Sequence, residues 1–293
     1  MLDIREAEYG GEMLYINKSA HHPMWAMEYS RDEGLRKYWD EYSYPYHKEG
    51  AGPLYRGKDA SDYNHNQDML AVENIRRWFD YWQERPGTGT RISSGGVKII
   101  FSDTNTHFRG EENYRRSGVT DAMRIPKDAF YAHQVMWDGW VDIEQPRIHI
   151  IGHWNYKEDV IKPVYVVSGA DKVELFLNGK SLGEGEREYH FLYTFKDVQF
   201  ETGKLEAIGY DETGKECCRT ELQTAGKPEE IRLTFVQSPD GWKADGADMV
   251  LLQVEVMDKH GRRCPLANDL IHFEVEGPAK WCGGIAQGKD NYI

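Results

Sequence analysis

Apolar positions in the first half of the chain recur at helical spacing between short apolar runs; in the second half they alternate with polar ones. Pro23 to Met27 form a mostly apolar run that ends at Glu28, the pattern of a buried strand whose last residues meet a charge. Leu35, Tyr38, Trp39 and Tyr42 then fall on one helical face. A loop rich in Gly, Pro, Tyr and Asp spans 43–67, and its length suits a functional loop. Ile75, Trp78, Phe79 and Trp82 repeat the helical spacing before the stop signal RPGTG. The run GGVKIIF (95–101) predicts a second buried strand. Residues 125–137 predict a helix with Pro126 in its first turn and Ala129, His133, Met136 and Trp137 on one side. Strand, helix, strand, helix with buried strands implies parallel βα units.

From about residue 147 the period becomes two. KPVYVVSGADKVELFLNGKSLG holds two strands joined at SGAD, and Asn178-Gly179 is the strongest hairpin signal in the chain. GKLEAIGYDETGKE supplies another strand and turn. After Lys227-Pro228, alternation at Ile231, Leu233 and Phe235, at Val250, Leu252, Val254 and Val256, and at Ile271, Phe273 and Val275 predicts a second all-β unit. Strands this short and regular suggest immunoglobulin-like sandwiches. The expected fold class is therefore α/β plus all-β, in three parts: 1–146, 147–227 and 228–293. The last is short against the roughly 100 residues of a full sandwich, and two βα units do not close a parallel sheet, so the chain reads as part of something larger.

Composition narrows the partners. The 293 residues are 40% hydrophobic, with 9 Trp and 18 Tyr, enough for a packed core. A net charge of −13 without a Lys/Arg-rich run argues against nucleic acid and anionic membranes, both of which call for a basic face. No stretch reaches the roughly 18 apolar residues of a membrane span, and the N-terminus has neither the basic nor the apolar region of a signal peptide. Four cysteines, two of them adjacent at 217 and 218, make no disulfide framework, so a cytoplasmic and a periplasmic location both stay open. His21, His22, His47, His65, His149 and His153 show no metal-ligand spacing, and no phosphate loop or nucleophile elbow is present. Neither a metal nor a cofactor is expected. Asn17-Lys18-Ser19 matches a glycosylation acceptor, a pattern frequent by chance.

A glutamate ending an apolar strand of a βα unit is where a TIM barrel places its chemistry. HPMWAMEYS followed by GLRKYW resembles the seventh-strand motif of glycoside hydrolase family 2. GGVKIIFSD is similar to that family's eighth strand, and RRSGVTDAMRIPKDAFYAHQVMW to the segment entering its last barrel helix. RIHIIGHWNY and KPVYVVSGADKVELFLNGKSLG resemble the sandwich that follows the barrel. The resemblance covers most of residues 20–225, with the motifs in the family's order. It implies the last βα units of a (β/α)8 barrel, β-galactosidase-like retaining hydrolysis of a terminal β-linked sugar, a carbohydrate substrate and an oligomer as one option.

The resemblance also assigns roles. Glu28 would be the nucleophile of a two-carboxylate pair about 5–5.5 Å apart, the other carboxylate acting as acid and base. In the family that partner belongs to an Asn-Glu pair, and this chain contains no Asn-Glu dipeptide. The expectation is that the chain alone is inactive. Arg31 is a candidate contact to nucleophile or sugar. After the eighth-strand segment, Asp103, Asn105 and His107 are candidates for sugar hydroxyls and Phe101 for stacking, although many relatives place a Trp where this chain has Phe101-Ser102. The rival reading is a non-catalytic sandwich module, for accessory interaction or carbohydrate binding, attached to a vestigial barrel remnant.

Overall fold

The computed structural model describes residues 23–29, 33–34, 40–43, 46, 54–55, 58–59, 64–79, 92–98, 100–104 and 116–284; for 23–29, 54–55, 58–59, 64 and 92–97 it describes the backbone alone. The chain is mostly β, with two helices of eight residues or more among the described residues. It opens with β1 (Pro23–Tyr29) and β2 (Glu33–Gly34), then β3 (Leu54–Tyr55), β4 (Lys58–Asp59) and β5 (Asn64–His65), followed by α1 (Gln67–Phe79). β6 (Ile92–Lys98) and α2 (Asp128–Val141) complete this half. β1 pairs parallel with β6, and β2 pairs parallel with β5.

Three expectations shift here. β6 begins three residues before the expected glycines and ends at Lys98, so it carries Gly95 and Gly96 in its interior. Leu35, Tyr38 and Trp39 of the expected helical face lie outside the described residues; at its far end Asp40 Oδ1 accepts the N–H groups of Tyr42 and Ser43 and bends the chain, so Tyr42 is not helical. Such side-chain bonds to nearby backbone compete with a helix. Trp137, expected on the inner side of its helix, is 63% exposed, whereas Ala129 and Met136 are buried as expected.

Eight strands follow: β7 (Ile148–Ile151), β8 (Ile161–Ser168), β9 (Lys172–Leu177), β10 (Lys180–Glu184), β11 (Glu186–Glu188), β12 (Leu192–Gln199), β13 (Lys204–Tyr210) and β14 (Glu216–Gln223). They form two antiparallel four-stranded sheets, β10-β9-β13-β14 and β11-β12-β8-β7. β9 and β10 make the hairpin signalled by Asn178-Gly179, with φ of 51° and 82° at the two turn residues. Positive φ at both positions is what a two-residue type I′ turn requires. The SGAD segment instead carries the chain from one sheet to the other, since β8 and β9 lie in different sheets.

Between the sheets lies a core that includes Val164 and Val166, Val173 and Leu175, Tyr193 and Phe195, and Leu205 and Ala207. β8 ends in three consecutive buried residues because its other face is covered too. Val167 on β8 and Leu192 on β12 join a second core with Phe191, Leu70, Ile75 and Trp78, and with Ala132 and Met136 of α2. One sheet therefore stands between the helices and the other sheet. β15 (Glu230–Val236) and β16 (Leu251–Met257) form a separate antiparallel pair. Residues 271–275, expected as a strand, have no strand pairing.

Candidate functional site

Parallel pairing sets the C-terminal ends of β1 and β6 side by side, with Tyr29 opposite Lys98. Glu28 is the penultimate residue of β1. Its side chain lies outside the described residues, as do Arg31, Asn105 and His107 altogether. What is described is the shell that holds the segments leaving these two strands.

Lys127 is the hub of that shell, its side chain fully buried. Its Nζ donates to Gly34 O at 2.7 Å, to Asp103 Oδ1 at 2.8 Å and to Arg116 O at 3.0 Å. Three acceptors take up the three N–H bonds of an ammonium, so the geometry calls for the charged form. Burial pushes the Lys127 ammonium down and the Asp103 carboxyl up from their ordinary ranges, and the charge of each partner opposes that drift. Gly34 follows β1 and Asp103 follows β6, so one side chain ties together the exits of both parallel strands.

Backbone bonds reinforce the knot. Gly34 N donates to Arg116 O at 3.2 Å, and Asp103 N to Thr120 O at 3.1 Å. Gly118 N donates to Asp103 Oδ1 at 2.9 Å. A Cβ at Gly118 would lie 2.3 Å from the Asp103 nitrogen, so only glycine allows this approach. Glu33 and Arg116, both buried, face each other at 3.8 Å. Oδ1 of Asp103, a residue expected to meet a sugar hydroxyl, is thus occupied in holding the loop. Phe101 is 58% exposed and meets Phe130 edge-on, with ring centroids 6.4 Å apart.

A second buried polar cluster joins residues 40–43 to the sandwich. Asp40 Oδ1 accepts from Ser43 Oγ at 2.7 Å, and its Oδ2 accepts from Tyr156 OH at 2.8 Å. Lys162 on β8 lies 3.8 Å from Asp40 and 3.5 Å from Asp68, and donates to Tyr156 OH at 2.9 Å. Burial works to raise the Asp40 carboxyl, but Lys162, His153 and the hydroxyls of Ser43 and Tyr156 outweigh it and hold the group below its usual range. For Asp68 burial outweighs the opposing charge of Lys162 and the Met69 N–H, and its carboxyl is raised. His153 accepts the Asn155 N–H at Nδ1, 3.1 Å, which places its proton on Nε2 facing Ser43. Burial lowers its pKa to about 3.

Reading the sequence alone missed Lys127, Arg116, Glu33 and Lys162. The expected helix over 125–137 had placed Lys127 inside it; the structure starts α2 at Asp128 and leaves Lys127 before it with extended φ and ψ and no capping bond. Among the described residues, no three His, Cys, Asp or Glu side chains are placed to hold a metal ion.

Comparison with known proteins bears on what this shell surrounds. Residues 159–218 match the family described as Domain of unknown function (DUF4982), and residues 231–291 match Glycoside hydrolase family 2 C-terminal domain 5. A beta-glucuronidase of Formosa agariphila is 37% identical over 277 residues, 92% of this chain and 26% of the relative. The chain belongs to glycoside hydrolase family 2. Beta-galactosidase BoGH2A of Bacteroides ovatus is 37% identical to the family 2 chain over 176 residues, 59% of the chain and 19% of the relative. Among solved structures, a beta-glucuronidase from glycoside hydrolase family 2 superposes with a TM-score of 0.74 at 35% identity, over 90% of the family 2 chain and 26% of its own. A beta-glycosidase from Bacteroides vulgatus superposes at 0.58 with 20% identity, a likeness of fold alone. The family 2 chain spans about a quarter of the length of the first of these relatives.

Proposed function

We propose that these 293 residues form the C-terminal part of a longer retaining glycoside hydrolase that removes a terminal β-linked sugar, with Glu28 as its nucleophile. The observation that carries the reading is the position of Glu28 next to the end of a strand paired in parallel with β6, in a chain of family 2. On this reading β1, α1, β6 and α2 belong to the last βα units of a (β/α)8 barrel within 1–146, followed by sandwiches at 147–227 and 228–293. Active sites of such barrels lie at the C-terminal ends of the strands.

The ionised Glu28 attacks the anomeric carbon while a second carboxylic acid protonates the leaving oxygen, and that second group then draws a proton from water to release the sugar. The second carboxylate comes from outside these residues, which contain no Asn-Glu dipeptide. The Lys127 knot supports the reading because a nucleophile must be held to within about 0.5 Å, and Lys127 fixes the backbone that follows it. Arg31, Asn105 and His107 remain proposed sugar contacts, as does Phe101 for stacking; Asp103 acts through the loop it anchors.

Galactose is the sugar that the family resemblance implies. Glucuronic acid is the second reading, favoured by the beta-glucuronidase names of the relatives matched over the longest spans. The test takes the longer protein containing these residues and assays nitrophenyl β-galactoside against β-glucuronide. Glu28→Gln should lower turnover by roughly 10³-fold or more, about 4 kcal/mol of barrier. Full activity in that variant, or hydrolysis by the 293 residues alone, would overturn the assignment.

A further inference from the structure

Cys217 and Cys218 stand on β14, where neighbouring side chains ordinarily point to opposite faces. Here the pairing slips: Gly209 faces Cys218 and Tyr210 faces Glu216, leaving Cys217 as the extra residue of a β-bulge. The bulge turns both thiols to one side, with their sulfurs 4.0 Å apart. Cys217 is exposed and Cys218 half-buried. The absence of a side chain at Gly209 makes room for this, since a Cβ there would sit 2.5 Å from Cys218 Sγ. Ser168 gives its hydroxyl proton to Arg147 O and faces Cys218 Sγ at 3.8 Å.

Two outcomes are open to such a pair, a disulfide or a bridging atom. Adjacent Cα atoms are held about 3.8 Å apart across a trans peptide, below the roughly 4.4–6.8 Å that disulfides span. An interposed soft atom fits better, because it bridges two sulfurs that stand 4.0 Å apart without closing them to the roughly 2.05 Å of a direct S–S bond. Beside the pair, Cys218 lines a cavity of about 340 Å³ between α2 and the sandwich edge, walled by Tyr131, Pro146 and Ile148 and also by the polar Gln134, His149 and Arg219.

We propose that Cys217 and Cys218 form a dithiol chelation site for a trivalent arsenical or a comparable thiophilic metalloid, with its organic substituent directed into the adjoining cavity. Two protein sulfurs and one organic group complete such a centre, so no third protein ligand is needed. With hydrated phenylarsine oxide two As–S bonds form and two As–O bonds break. The two thiol protons leave with the oxygens as two waters, and arsenic stays trivalent. Burial raises both thiols, Cys218 up to about 12, so each proton leaves only as its As–S bond forms.

Intact-mass spectrometry of the 293-residue chain with phenylarsine oxide and excess glutathione tests this. One bridged adduct should persist in the unaltered chain. Cys217→Ser and Cys218→Ser should each weaken retention roughly a hundredfold, the loss expected when two linked contacts become one. Cys282→Ser, at an exposed thiol elsewhere, should change nothing. Cys217→Ser alters an exposed side chain and keeps the result readable if Cys218→Ser misfolds. Loss of the adduct from the unaltered chain as readily as from Cys217→Ser, or its dependence on Cys282, would overturn the site.

Discussion

At the scale of single residues, buried charge is concentrated where the chain must hold irregular backbone. Lys127 has no accessible side-chain surface and satisfies three acceptors from three separate segments. Removing one partner of such a pair strands the other, so Lys127→Met should cost about 3–5 kcal/mol, read as a lower midpoint in urea denaturation. His153 gives a pH signature. Its folded pKa of about 3 lies below the ordinary value near 6.5, so the unfolded chain binds the proton first as pH falls. Its contribution is complete above about pH 6.5 and drains away as pH drops towards 3, by up to about 1.4 kcal/mol per pH unit. Thermal unfolding at pH 7 and pH 5 should show the fall, and His153→Gln should make it shallower, with His133, also lowered to about 3, supplying the rest. An unchanged slope in that variant would assign the acid sensitivity to other groups.

Elements were legible in the sequence wherever local chemistry decides them. The Asn178-Gly179 hairpin and the alternation of β9 and β13 follow from turn residues and period alone. Parallel strands bounded by glycines are less distinct, and β6 begins three residues early because the serines and glycines of 93–96 pair through backbone that side-chain pattern cannot report. The bend at Tyr42, expected to end a helical face, turns on one carboxylate accepting from the N–H groups that follow it, a choice that apolar spacing does not encode. The strand-end glutamate was visible as a motif, whereas the Lys127 knot depends on segments far apart in sequence. Where α2 meets the sheet, a Cβ at Gly139 would approach Phe191 to 2.6 Å, so the helix lies directly on that ring. Phe191→Ala should therefore cost about 3–5 kcal/mol in equilibrium denaturation, well beyond the effect of the same change at the exposed Phe235.

For the whole molecule, the sheet β11-β12-β8-β7 serves two interiors at once, with Val166 and Tyr193 facing one and Val167 and Leu192 the other. A strand pattern of this kind reads as continuous apolar sequence because neither face is left for water. An excised 147–293 would uncover Ile151, Val167, Phe191 and Leu192 together, a contiguous apolar surface of the kind that drives association. Light scattering should show that piece self-associating where the 293-residue chain does not; a monodisperse, stable 147–293 would contradict the prediction. The common wall also means that neither interior can be lost privately. Melting the helices wets the back of the sheet, and opening the sandwich removes the floor on which the helices rest, so a cut drawn where the sequence changes its period from helical to alternating severs the molecule through its shared interior.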